Sequence, residues 1–301
     1  MSGVLQMKWF KNICSSIKKS AEDIGWDESW FPGSSKNLAD KISRFQKGYG
    51  LEETGVVDDS TFRRRSTEKE VASNFLKDVR KKHETPHIIC NGERVDIGWT
   101  KIKTFRDDDG LQLPESNYRK ANLPRKPTMF VAHWDVCLSA RSCFKVLKKR
   151  NLSVHFLIDN DGTIYQLMDC NDVAWHAGNR KVNNTSIGVE ISNAYYLKYQ
   201  SWYKANGFGD RPIWEDVKVH GRALDNFLGF YPMQIVAFRA LVDALNKAYD
   251  IPLVAPMKNN KLVETIYDKA KDATFKGVVN HYHITKRKID CAGFKLNEVL
   301  K

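Results

Sequence analysis

The segment Asn280–Phe294, NHYHITKRKIDCAGF, gathers two histidines, an aspartate, a cysteine and three consecutive basic residues. Imidazole nitrogen, carboxylate oxygen and thiolate sulfur are donors that Zn²⁺ prefers, and a catalytic zinc takes three such donors while keeping one position open. The segment supplies two of the three. A third can come from His133 in FVAHWDV, where Met129–Ala132 is an apolar run typical of a buried strand and His133 stands at its end, where a site can open. Taken alone, a histidine in such a place is more often packed or hydrogen-bonded than a ligand.

The middle of the chain changes that balance. After His133 come SVHFLIDNDGTIYQL (Ser153–Leu167), VAWHAGN (Val173–Asn179) and NTSIGVEISN (Asn184–Asn193), followed by the C-terminal HYHITKRKIDCAGF. In this order and at these separations, over residues 127–301, the blocks resemble the zinc-dependent N-acetylmuramoyl-L-alanine amidases of the amidase-2 and peptidoglycan recognition protein family. The resemblance implies an α/β catalytic domain with a mixed central sheet flanked by helices, Zn²⁺ as cofactor and bacterial peptidoglycan as partner. It implies Glu190 as general base and Lys288, in the K-x-ligand position, as the group facing the oxyanion. The metal ligands it implies are His133, His281 and Asp290, because Lys288 then falls in register. Counting back from Cys291 instead selects His283 and Cys291, and that alternative stays open. Trp175 and His176 are expected to border the muropeptide, whereas His155 and His176 are not expected as ligands.

Local patterns agree with a mixed α/β fold. His155–Ile158 and Thr163–Gln166 are β-prone runs joined by Asp159-Asn160-Asp161-Gly162, where Asp-Gly suits a tight hairpin. Ser186–Ile191 reads as a buried strand. Helical spacing runs through Ala140–Lys149 and Pro232–Tyr249, the latter with Ile235, Phe238, Leu241, Val242 and Leu245 on one face.

Composition narrows the class. The formal net charge is +12, which first suggests nucleic acid, yet no zinc-finger, helix-turn-helix or aromatic-basic signature accompanies it. Wall polymers are polyanions too, so no specific nucleic-acid partner is expected. No apolar run reaches the length of a membrane span, and the first residues read as an amphipathic helix (Val4, Met7, Trp9, Phe10, Ile13, Ile17) rather than a signal peptide. Synthesis in a host cytoplasm is expected, with release to the wall through a holin or carriage in a virion. Cys14, Cys90, Cys137, Cys143, Cys170 and Cys291 show no paired framework and suit reduced thiols.

In the N-terminal third, LADKISRFQKGYGLEETGVVDDSTFRRR (Leu38–Arg65) places Leu38, Ile42 and Phe45 on one helical face. Gly48 and Gly50 end that helix, Thr54-Gly55 marks a turn, and Asp58 or Asp59 caps a second helix through Thr61 and Phe62. This resembles the peptidoglycan-binding repeat of wall hydrolases, and Trp26, Trp30 and Phe31 are expected in the same module. The expected organisation is a small all-helical domain over 1–67 and a linker or unassigned region over 68–126, with helical composition at 69–82, short β-prone pieces over Ile88–Trp99 and a loop over Asp107–Lys126. The catalytic domain is expected over 127–301, with an insertion near 195–231. Together these readings point to a phage-type endolysin. The competing reading is a non-catalytic peptidoglycan-recognition protein, which keeps the fold and lacks the metal.

Overall fold

The computed structural model of the chain describes residues 31, 37–58, 61, 64–65 and 85–301. Its contacts form two compact units, residues 1–84 with 201–209, and residues 85–200 with 210–301. The expected N-terminal amphipathic helix, Trp26, Trp30, Phe62 and the helical stretch 69–82 lie outside the described residues.

In the first unit, α1 (Leu38–Gly48) starts at Asn37, whose side chain accepts from the Ala39 N–H at 3.0 Å, satisfying one of the donors a helix start leaves free. Ile42 is buried, Phe45 meets Phe31 edge-on at 5.4 Å, and the chain leaves the helix through Gly50 at φ +64°. The FQ and TGVVDDST pieces of the sequence meet at one side chain. Fully buried Gln46 donates from Nε2 to Thr54 Oγ1, the Val56 carbonyl and Thr61 Oγ1, each at 2.9 Å, and its Oε1 accepts from the Gly55 N–H at 2.9 Å. Asp58 caps the next turn by accepting from the Thr61 N–H at 2.7 Å.

The second unit runs β1 (His87–Cys90), β2 (Glu93–Asp96), β3 (Ile102–Lys103), β4 (Met129–Trp134), α2 (Ala140–Arg150), β5 (Phe156–Ile158), β6 (Ile164–Gln166), α3 (Arg180–Thr185), β7 (Ser186–Ile191), α4 (Pro232–Tyr249) and β8 (Gly277–Asn280), with shorter pieces between. Six strands form one mixed sheet in the order β8-β4-β7-β5-β6-β3, parallel throughout except for the β5–β6 hairpin. That hairpin turns through Gly162 at φ +81°, a region glycine enters without steric cost.

Side chains alternate across the sheet. Phe130, Ala132 and Trp134 of β4, with Ile187, Val189 and Ile191 of β7, pack into the same core as Phe238, Leu241, Val242 and Leu245 of α4. On the other face Leu157 meets Cys143 and Leu147 of α2, while Met129 and Val131 meet Val279 and Ile284. Both faces are covered, so these strands read as nearly continuous apolar runs rather than alternating ones. By the same period of two, His133 and Glu190 project to the face away from α4.

Residues 85–126, expected as part of a linker or unassigned region with β-prone pieces over Ile88–Trp99, are built into this unit. Gln166 exchanges two hydrogen bonds with the Ile89 backbone, at 2.7 and 2.8 Å, and Asp169 accepts from the N–H groups of Asn91 and Gly92. β3 extends the main sheet, and Tyr118–Arg119 pairs with Val173–Ala174. The expected insertion at 195–231 forms a turn at Leu197–Tyr199, a short helix at Gln200–Ala205 and two small ladders, and none of these joins the six-stranded sheet.

Candidate active site

The carboxyl ends of three adjacent parallel strands, β8, β4 and β7, converge on one spot, as ligand sites of parallel sheets commonly do. His133 lies directly across from Glu190 in the β4–β7 register, and Asn280 pairs with Ala132, so His281 begins the turn His281–His283 just beyond the strand end. Asp290 returns on the following loop, where its carbonyl accepts from the Tyr282 N–H at 2.9 Å.

Three atoms form a nearly equilateral triangle. His133 Nδ1 is 2.9 Å from His281 Nδ1 and 3.1 Å from Asp290 Oδ2, and His281 Nδ1 is 2.9 Å from Asp290 Oδ2. All three residues are buried. Burial, helped by His281 and opposed by Asp290, lowers His133 to about 4, so its ring is neutral near pH 7. Burial alone would raise Asp290, but the two histidines outweigh it and hold that carboxyl well below its ordinary range.

Hydrogen bonds on the far side of His133 decide where its proton sits. His133 Nε2 lies 2.9 Å from His176 Nδ1, His176 Nε2 lies 3.2 Å from Ser186 Oγ, and Ser186 Oγ lies 2.7 Å from the Val182 carbonyl. A carbonyl only accepts, so Ser186 donates to Val182, His176 donates to Ser186, and His133 donates to His176. The Nδ1 of His133 therefore presents a lone pair to the triangle, opposite an ionised carboxylate. At most one proton, on His281 Nδ1, is left among three mutually close donor atoms, an arrangement that a cation satisfies and hydrogen bonding does not. The nitrogen and oxygen donor set suits Zn²⁺.

Glu190 borders the triangle. Its Oε2 is buried and has no hydrogen-bond partner among the described residues. Burial, reinforced by Asp290 and Asp135 and opposed by Lys288, pushes its carboxyl well above the ordinary range. Lys288 is exposed, and its carbonyl accepts from His220 Nε2 at 2.9 Å. Trp175 is 37% exposed and lines a cavity of about 370 Å³ with Arg119 and Arg180. His176 is half-buried with both ring nitrogens engaged by protein atoms.

The alternative pair is placed elsewhere. His283 accepts from the Asn280 N–H at Nδ1, 3.0 Å away, and its Nε2 donates to the Val263 carbonyl at 2.6 Å, so both nitrogens serve the backbone. Cys291 is fully buried in the core under α4, where burial pushes its thiol up. His155 is likewise occupied, accepting from the Gly188 N–H at 3.1 Å and donating to the Asp172 carbonyl at 3.0 Å.

Two features escaped the sequence. Asp135 is pushed up to about 7 by burial, against hydrogen bonds from Asn193, Cys137 and Ser192. With Cys137 and Cys143 it forms a second close group, but its two oxygens already take those three bonds. The other feature is the link from His176 through Ser186 to Val182, whose trace in the sequence is the co-occurrence of AWHAG and SIGVEI.

A buried cluster of two histidines and a carboxylate, beside a glutamate with one oxygen unsatisfied among the described residues, at the carboxyl edge of a mixed sheet, defines a candidate metallohydrolase centre. Residues 123–292 match the family described as N-acetylmuramoyl-L-alanine amidase, more than half of the 301 residues, and the chain belongs to that family. Similar solved structures include a selenomethionine AmpD derivative, at 16% identity over 66% of this chain and 99% of that one, with TM-score 0.37. AmpDh3 from Pseudomonas aeruginosa in complex with anhydromuramic pentapeptide is 23% identical over 63% and 66% of the two chains, with TM-score 0.37. A mutant endolysin from Bacillus subtilis is 20% identical over 65% and 92%, also with TM-score 0.37. No curated protein matches the chain by sequence.

Proposed function

We propose that this chain is a zinc-dependent amidase that hydrolyses the bond between N-acetylmuramic acid and the L-alanine of the stem peptide, and that it serves bacterial lysis as a phage endolysin. The observation that carries this reading is the triangle of His133 Nδ1, His281 Nδ1 and Asp290 Oδ2 beside Glu190, in a chain of the amidase family. Those three atoms would hold the ion. A zinc ion in such a site acidifies water to a pKa of ~7 and polarises a carbonyl as a Lewis acid.

Glu190 takes the proton from the attacking water and passes it to the departing amine nitrogen. Burial, which raises the Glu190 carboxyl, makes it hold a proton more readily than an ordinary carboxylate, and that suits delivery of the proton to the departing nitrogen. Lys288 brings its ammonium to the developing oxyanion, replacing solvation that water would otherwise have to reorganise. Trp175 offers an exposed ring to the glycan or peptide beside Arg119 and Arg180, and His176 follows it in the same loop. The helical repeat built around Gln46 supplies attachment to the wall, which suits a lytic enzyme acting on an insoluble polymer. Among the described residues no helix is long and apolar enough to cross a membrane.

The test is digestion of purified peptidoglycan with mass assignment of the released ends. New free stem-peptide amino termini on L-alanine are expected. Sacculus binding without release of any ends would instead identify a recognition protein.

A further inference from the structure

We propose that His176 is a positioning residue: by accepting the Nε2 proton of His133, it turns the His133 Nδ1 lone pair toward His281 and Asp290. The proposal rests on the reading of the triangle as a metal centre. A neutral histidine can carry its proton on either nitrogen, and only the Nε2–H form leaves Nδ1 free to bind a cation. Left to itself, His133 could place its proton on Nδ1 and donate to Asp290 Oδ2, 3.1 Å away, which would close the site with a hydrogen bond. The relay ending at the Val182 carbonyl selects the other form.

Independent features hold His176 in place. Its ring stands at 88° to that of His133, with centroids 5.1 Å apart. Asn183 Oδ1 accepts from the N–H groups of His176 and Ala177, fixing the loop that carries the ring. Gly188 of β7 leaves the space the ring fills, because a Cβ there would lie 2.7 Å from His176 Nδ1. The glycine of SIGVEI and the histidine of AWHAG are thus parts of one device, and neither touches the cation position.

Outer partners of metal-bound histidines are worth roughly 10–100-fold in metal affinity. His176→Leu removes the acceptor and is expected to weaken zinc binding by about that factor, measured by competition with a chromophoric chelator. His176→Asn places its side-chain oxygen where Nδ1 now sits, so it is expected to restore affinity close to that of the original chain. Gly188→Ala, which displaces the ring without altering it, is expected to behave like the leucine variant. Nitrogen-15 NMR of histidine-labelled, metal-free protein reads the tautomer directly. His133 is expected as Nε2–H in the original chain and the asparagine variant, and to shift toward Nδ1–H in the leucine variant.

A folded His176→Leu protein that binds zinc like the original, or that keeps His133 as Nε2–H, overturns the proposal. An asparagine variant as weak as the leucine variant overturns it too. If the original chain binds no zinc, the metal reading of the triangle fails, while the tautomer measurement still decides whether His176 orients His133.

Discussion

Two buried polar sites in this chain behave oppositely. Around Gln46, the side-chain amide finds three acceptors and one donor, so the motif that joins α1 to its turn closes on itself. At the carboxyl edge of β4, β7 and β8, Glu190 Oε2 and His281 Nε2 are buried without hydrogen-bond partners among the described residues, and three donor atoms crowd within 3.1 Å. Buried polar groups are nearly always satisfied. A closed set such as that at Gln46 specifies local structure, whereas an open set marks where the protein expects something from outside. The same residue chemistry therefore reads as architecture in one place and as a reaction centre in the other.

The comparison can be broken at either end. The largest effect is expected for Glu190→Gln, which keeps shape but cannot move a proton. Turnover on soluble muropeptides should fall by roughly 10²–10⁴ with zinc content unchanged, and a rate near that of the original chain would remove Glu190 from the mechanism.

Acid should act next, through His155 and His283, whose ring nitrogens are engaged by backbone groups. Burial lowers His155 from 6.5 to about 3 and His283 to about 4. The unfolded chain therefore binds protons that the folded chain refuses between about 6.5 and these lower values. Their contribution is fully present above pH 6.5 and is lost as pH falls through that window, on the order of a few kcal/mol for each group. Denaturant midpoints measured from pH 7.5 to 4.5 should decline, and a flat profile would mean that these rings are not buried neutral.

Gln46→Ala should cost about 1–3 kcal/mol, because it strands the buried Gly55 N–H and removes the donor to buried Thr61 Oγ1. The loss should appear in a melting transition of the N-terminal unit and leave amidase turnover intact. A change in turnover would show that the two sites are not independent.

The smallest effect concerns attachment. A chain beginning at Thr85 keeps β1–β3 and should cleave soluble substrate normally while working several-fold more slowly on sacculi, since tethering raises local concentration without adding contacts at the site. Equal sacculus binding at high salt, with and without the first 84 residues, would deny the repeat a wall-binding role.

Much of the second unit was legible in the sequence because its signals are local. Ser186–Ile191 and Pro232–Tyr249 carry their period and length in consecutive residues, and the structure places them at those bounds. Residues 85–126 were legible only in part: Ile88–Trp99 reads as β-prone, and β1 and β2 form there. β3 has two residues, and the side chains that tie the β1–β2 hairpin to the second unit, Gln166 and Asp169, lie more than 70 positions away, so the local run shows the strands but not where they dock. At the site, block order pointed to His133, Glu190 and the C-terminal segment, but the spacing of His281, His283, Asp290 and Cys291 allowed two registers. In the structure His281 and Asp290 lie beside His133, while His283 turns toward the Val263 carbonyl and Cys291 enters the core. The relay through His176 was invisible for a similar reason, since it depends on a missing Cβ at Gly188.

The most direct measurement is zinc stoichiometry in three purified proteins, the original chain, Asp290→Ala and Cys291→Ser. One equivalent is expected in the original chain and in Cys291→Ser, with most of it lost in Asp290→Ala, because two remaining ligands cannot complete the coordination shell. Retention by Asp290→Ala together with loss by Cys291→Ser would contradict the account and move the centre to His283 and Cys291.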